Sequence, residues 1–147
     1  MTSENIKNSF IEIFNKKGLL FFDHIEDLND YVILTYHGNN LEEINIYIGF
    51  DLRDDGAIIA TLGFYEFKNF DDNLNNGLLA CNQANCTVSS KCHIDKDNDA
   101  VMTAKLLFDA YTIKSGFSPE FVLIAASEMA MDVDDVYPIF ADAANNN

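Results

Sequence analysis

The chain has 147 residues, with 9 lysines and arginines against 24 aspartates and glutamates, a formal charge of −15. The length fits one domain, and an apolar share of 48% excludes a disordered chain. Arg53 is the single arginine. So few cations argue against nucleic acid, whose affinity for proteins comes mainly from neutralised phosphates, and against anionic membrane surfaces.

No stretch approaches the roughly 18 apolar residues of a membrane span. Met1 to Asn15 is polar and helix-patterned, without a basic start before an apolar run, so no secretory signal is expected. Cys81, Cys86 and Cys92 are an odd set and make no disulfide framework. The expected compartment is a reducing cytoplasm with free thiols. The acids are spread along the chain and read as a solvated surface. One domain is expected over residues 1–144, with a disordered tail at 145–147.

In chain order, the first element reads as a helix. Thr2 or Ser3 can cap it, and Glu4 suits the positive end of its dipole. Ile6, Phe10, Ile13 and Phe14 give one apolar face, and Gly18 is a natural left-handed stop. Four strand candidates follow. Leu19 to His24 is short and aromatic, and Tyr31 to His37 ends at the turn cluster Gly38-Asn39-Asn40. Ile44, Ile46, Ile48 and Phe50 alternate with Asn45, Tyr47, Gly49 and Asp51, the clearest period-2 signal in the chain. Asp54-Asp55-Gly56 predicts a hairpin turn returning through Ile58 to Phe67.

A second helix is predicted next, capped by Asp71 or Asp72 with Phe70 as a staple outside it. Leu74, Leu78 and Cys81 form its apolar stripe, flanked by Leu79 and Cys86. Gly77 inside it costs about 1 kcal/mol against Ala, and either allows close approach of another backbone or is simply tolerated. A second hairpin runs from Val88 to Ile94, turns at Lys96 to Asp99, and returns over Ala100 to Leu106. Ser118-Pro119-Glu120 opens a last helix. Phe121, Ile124, Ala125 and Met129 lie near one face, and Val133, Val136, Tyr137 and Phe140 continue it. Pro138 should kink this helix or begin a new turn. Strand runs separated by single helices, with tight turns, predict α+β: an antiparallel sheet with helices packed on it, in the order α-β-β-β(-β)-α-β-β-α.

Two segments carry a resemblance. Leu78-Leu79-Ala80-Cys81-Asn82-Gln83-Ala84-Asn85-Cys86, running into Lys91-Cys92-His93-Ile94-Asp95, resembles the YbjN family. There a helix ending in an N-x-x-N stretch leads into a strand, an acidic turn and a second strand. Asn82 and Asn85 fit the first part, and Asp95 to Asp99 fits the turn. Asp134-Asp135-Val136-Tyr137-Pro138-Ile139 resembles the close of that family's last helix. The resemblance implies the fold of type III secretion chaperones, a sheet with helices on one side that is commonly dimeric. It also implies a regulator of sensory transduction. The chaperone pattern has three strands before the second helix where this chain shows four candidates, so Leu19 to His24 is a loop or an extra edge strand.

Other constellations read as structure. Asp95-Lys96-Asp97-Asn98-Asp99 begins like a calcium loop, but its sixth position is Ala100 and its twelfth Leu106, where glycine and glutamate are needed. It reads as a hairpin turn. Cys81, Cys86, Cys92 and His93 are spaced too widely for a zinc site, and alternation sends Cys92 and His93 to opposite faces of a strand. Asp54-Asp55 reads as turn chemistry and Asp134-Asp135 as helix surface. His24 and His37 read as solvent-facing or hydrogen-bonded. Phosphate-loop, dinucleotide, nucleophile-elbow and zinc-protease motifs are missing. No catalytic residue, cofactor or metal is expected.

The expected function is therefore a non-enzymatic protein-binding module, a cytoplasmic regulator or chaperone-like adaptor, binding along a strand edge or in a groove between sheet and helix. A protein partner or a homodimer is expected, with Leu74, Leu78, Cys81, Lys91 and His93 as the candidate surface, and with no nucleic acid or membrane. The alternative is a small-molecule or metal-sensing domain on the concave face of the sheet, using Tyr31, Tyr36, Tyr47 and Tyr65.

Overall fold

A computed structural model describes residues 2–18, 22–109, 111 and 120–146. The elements run α1 (Ser3–Lys17), β1 (His24–Asp27), β2 (Tyr31–Tyr36), β3 (Ile44–Leu52), β4 (Ile58–Phe64), α2 (Leu74–Thr87), β5 (Lys91–Ile94), β6 (Ala100–Phe108) and α3 (Glu120–Asn145). The fold is α+β with an antiparallel sheet. Its strand order is β1-β2-β3-β4-β6-β5, and every neighbouring pair is antiparallel.

Alternation along the strands sorts side chains to two faces. Val32 and Leu34, Ile44 to Phe50 at every second residue, Ile58, Ala60, Leu62, Phe64, Cys92, Ala100 and Met102 are buried on one face. The three described helices pack there, since Phe10 and Phe14 of α1, Ala80, Cys81 and Ala84 of α2, and Val122, Met129, Val133 and Phe140 of α3 share one core with these strand residues. Phe10 meets Phe50 edge-on at 5.0 Å, and Phe67 stacks on Phe140 at 4.4 Å.

Local chemistry explains the element ends. Thr2 caps α1 as expected, accepting from Asn5 N–H through its hydroxyl, and Asn5 Oδ1 accepts from Thr2 N–H in return, closing a capping box. Gly18 follows α1 at φ 85°. The Asp54-Asp55-Gly56 turn holds: Gly56 sits at φ 85°, and Ala57 N–H donates to the Asp55 carboxylate at 3.0 Å. The calcium-like segment is spent on its own turn, with the Asp97 and Asp99 N–H groups both donating to Asp95 Oδ1 at 2.9 and 3.0 Å.

Several expectations are corrected. The first strand is His24–Asp27, an added edge strand beyond the proposed stretch, and Leu19 to Phe21 lie outside the described residues. The strand after the first hairpin stops at Phe64, and Phe67 turns into the core. Asn73, not Asp71 or Asp72, holds the N-cap position of α2, and its side chain makes no capping hydrogen bond. Its buried face is Gly77, Ala80, Cys81 and Ala84, while Leu74, Leu78 and Leu79 are exposed. Small residues let the helix lie close: a Cβ at Gly77 would stand 2.6 Å from the Phe70 ring. Helix α3 is turned likewise, with Val122, Leu123, Ala126 and Met129 inside and Phe121 and Ile124 outside. Ser118 and Pro119, expected to open it, lie outside the described residues. The helix continues through Pro138 to Asn145. Asn146 N–H donates to the Asp142 carbonyl at 3.1 Å.

Candidate functional site

The residues singled out from sequence divide between three places. Leu74 and Leu78 lie on the outer side of α2, half exposed. Cys81 is 4% exposed and belongs to the core. Lys91 and His93 stand on β5, on the sheet face away from the helices, because Cys92 between them points inward.

The corner where α2, β5 and α3 meet is a fastening. Asn85 Nδ2 donates to the Cys92 carbonyl at 3.0 Å, and Cys92 N–H donates to Asn85 Oδ1 at 2.7 Å. One side-chain amide thus takes both outward backbone groups of Cys92 and closes the sheet edge there. Ser90 Oγ donates to Asp132 Oδ2 at 3.1 Å. Burial pushes the Cys81 thiol up to about 11, and burial, Cys81 and Asp132 push Cys92 up to about 12. Both are therefore protonated thiols at neutral pH, the opposite of an activated nucleophile or a thiolate ligand. Burial also raises the Asp132 pKa, partly offset by Ser90. Among the described residues no group of three or more His, Cys, Asp or Glu side chains could hold a metal.

A second fastening corrects the reading of Asp134-Asp135. Asp135 is exposed, but Asp134 is 6% exposed. Its carboxylate accepts the N–H groups of Asn39 at 3.0 Å, Asn40 at 2.7 Å and Leu41 at 3.0 Å. Pro138 has no N–H for the Asp134 carbonyl four residues back, and Asn40 Nδ2 donates to that oxygen instead, at 3.0 Å. A Cβ at Gly38 would stand 2.3 Å from Asp134 Oδ1, so the glycine makes room for the carboxylate. Lys7 does the same work for α1. Its buried Nζ donates to the Leu28 and Asn29 carbonyls at 2.6 and 3.2 Å and pairs with Asp27 at 2.8 Å.

The helix-free face is different in kind. Tyr31, Tyr47 and Tyr65 run diagonally across β2, β3 and the end of β4, with ring centroids 5.5 and 5.6 Å apart. Tyr31 is 37% and Tyr65 43% exposed. Tyr36 has the opposite parity, lies on the helix side and meets Phe22 at 6.3 Å, so the aromatic set is three residues and not the expected four. Register places a glycine opposite two of the three: Gly49 opposite Tyr31 and Gly63 opposite Tyr47. The Tyr65 ring lies on Gly63, where a Cβ would meet its hydroxyl oxygen at 2.2 Å. Over Gly49 the corresponding space is open; apart from its chain neighbours, the nearest atom to a Cβ there is the Asp30 carbonyl oxygen at 3.9 Å.

Carboxylates surround the row. Tyr47 Oη donates to Glu66 Oε1 at 3.4 Å. The Tyr47 pKa is raised, first by burial, then by Glu66, with Tyr31 and Glu26 adding to it. Burial raises Tyr65 as well. Asp51 follows Gly49 on the same face, while Lys105 on β6 stands opposite Thr61, the β4 partner of Gly49, and Lys91 lies beyond it on β5. The signal in the sequence was parity: residues 31, 47 and 65 share a face once register is known, and residue 36 cannot join residue 31.

No protein-family model matches the chain, and no curated protein matches it in sequence. Among solved structures, the chain is similar to YbjN, a proposed transcription regulator from E. coli. Identity is 10%, the likeness covers 94% of this chain and 92% of that one, and the TM-score is 0.49. Among the described residues no helix is long and apolar enough to cross a membrane.

Proposed function

We propose that this chain is a non-enzymatic protein-binding module, a cytoplasmic regulator or adaptor, whose partner docks on the helix-free face of the sheet. The observation that carries this reading is the row of Tyr31, Tyr47 and Tyr65, standing ring to ring on a face that the three described helices leave uncovered. Tyrosine suits such a surface: its ring offers contact area, and its hydroxyl is at home in water when no partner is bound. Strand addition is the weaker route, because Asn85 holds both outward groups of Cys92 and β1 is four residues long with an ion-paired aspartate. A charge of −15 keeps the module soluble and steers basic partners. The same reading places the chain with the YbjN family, on the segments at Asn85 and Asp134 that resemble it.

A photo-crosslinking residue at Thr61, on the open face, should capture a partner in the native host, and one at Glu128 or Asp135 should not. Capture from the helix side alone would overturn the reading. A homodimer joined through the outer side of α2, at Leu74 and Leu78, is part of the proposal. Light scattering at high micromolar concentration should then return twice the 16.5 kDa chain mass, and a clean monomer would remove the dimer.

A further inference from the structure

The diagonal row leaves one feature unexplained by packing. Each of two tyrosines faces a glycine across the strand pair, yet only Gly63 is covered, by Tyr65. The notch over Gly49 is bordered by Tyr31 across on β2, Tyr47 and Asp51 along β3, Thr61 across on β4, and the Asp30 carbonyl oxygen. Its borders are two aromatic rings, a carboxylate, a hydroxyl and a carbonyl oxygen. Rings present negative faces, Glu66 and Glu26 both act on Tyr47, and Asp51 follows Gly49 on the same face of β3. Of the cations on this face, Lys105 on β6 stands opposite Thr61, one strand beyond the notch, Lys91 is farther off on β5, and Arg53, two residues past Asp51, is paired with Asp55 at 3.0 Å.

From this charge pattern, and resting on the reading above, we propose that the notch over Gly49 receives a lysine or arginine side chain of the partner protein. The alkyl stem would lie against Tyr31 and Tyr47, and the charge would sit over the rings, facing Asp51 and the Asp30 carbonyl. Glu26 and Glu66 draw the cation to the row. Aromatic faces with nearby carboxylates are the recognised chemistry for such a guest.

The probe is a fluorescein-labelled octapeptide of alternating lysine and threonine, followed by anisotropy at 150 mM salt. Saturable binding is expected. Gly49→Leu fills the notch without changing charge and, since Gly49 has no left-handed φ, without backbone strain; it should weaken binding roughly tenfold, the scale of a lost cation–π contact. Tyr47→Leu should do the same, and serves where Gly49→Leu does not fold by circular dichroism. Glu26→Gln with Glu66→Gln should weaken binding more than Glu128→Gln with Asp135→Asn, which removes equal charge from the helix side. Equal losses from the two double variants, or unchanged binding by both Gly49→Leu and Tyr47→Leu, would overturn the proposal. Capture of a partner from Thr61 without peptide binding would sink the cation guest and leave the docking face standing. Absence of both would sink the docking face with it.

Discussion

The two faces of the sheet solve opposite problems with similar residues. On the helix side, aromatic rings are locked: Phe140 stacks on Phe67, Phe10 meets Phe50, and the polar groups that enter, Asp134 and Lys7, are hydrogen-bonded to backbone. On the other side, three tyrosines stand farther apart, at 5.5 and 5.6 Å, with Tyr31 and Tyr65 exposed and Tyr47 half-buried between them. The difference teaches where the fold has spent its order. The helix side specifies the structure, and the described helices leave the tyrosine side uncovered.

The largest effect should come from breaking the locked face. Phe140→Ala removes a fully buried ring and leaves a cavity against Phe67, at a cost of about 3–5 kcal/mol. A fall in the urea midpoint with little change in slope would report it. Next is Asp134→Ala, which strands the N–H groups of Asn39, Asn40 and Leu41 and should cost about 2–4 kcal/mol. Asp135→Ala, its exposed neighbour, should stay within about 0.5 kcal/mol. Equal effects of the two would mean that Asp134 is not holding the β2–β3 turn.

A pH titration sharpens the same contrast. The Cys81 and Cys92 thiols sit at about 11 and about 12 in the folded chain, and at roughly 8.5 once unfolded. Above pH 9 the unfolded chain therefore holds fewer protons, so stability falls as pH rises. Their contribution is fully present below about pH 8 and is lost progressively as the pH rises to about 12. Chemical denaturation should show a decline above pH 9 that shrinks in Cys92→Ala. A thiol reagent should label exposed Cys86 at once and the buried pair only on unfolding.

The two faces were unequally legible in the sequence, for physical reasons. Ile44, Ile46, Ile48 and Phe50 announced their strand because period 2 and burial coincide there. The Asp-Gly turn and the Thr2 cap were local chemistry, readable in place. Helix α2 misled because periodicity weighs apolar size, whereas a helix lying close to Phe70 needs Gly77, Ala80 and Ala84 inward. That turned Leu74 and Leu78 outward. Asp134 was unreadable from its neighbours, since its partners at Asn39 to Leu41 are more than ninety residues away and Asp135 beside it is exposed. Tyr31, Tyr47 and Tyr65 were named as candidates, but their line across three strands exists only in the pairing register.

The smallest expected effect is the most diagnostic for the open face. If that face packs for stability, Tyr47→Leu should cost what a core position costs. If it is kept open for a partner, the loss is only that of a cross-strand pair, about 0.2–1 kcal/mol. Gly49→Thr should go the other way. A glycine inside a strand weakens it by roughly 0.5–1 kcal/mol, and a Cβ here meets nothing nearer than 3.9 Å beyond its chain neighbours. Threonine should therefore raise the urea midpoint slightly. A stabilising change at a solvent-facing strand position means that glycine is held there at a cost to the fold. The open space over it, beside Tyr31 and Tyr47, is what that cost maintains. A destabilised Gly49→Thr would show instead that glycine serves the local backbone, and the notch would be a by-product of the turn at Asp30.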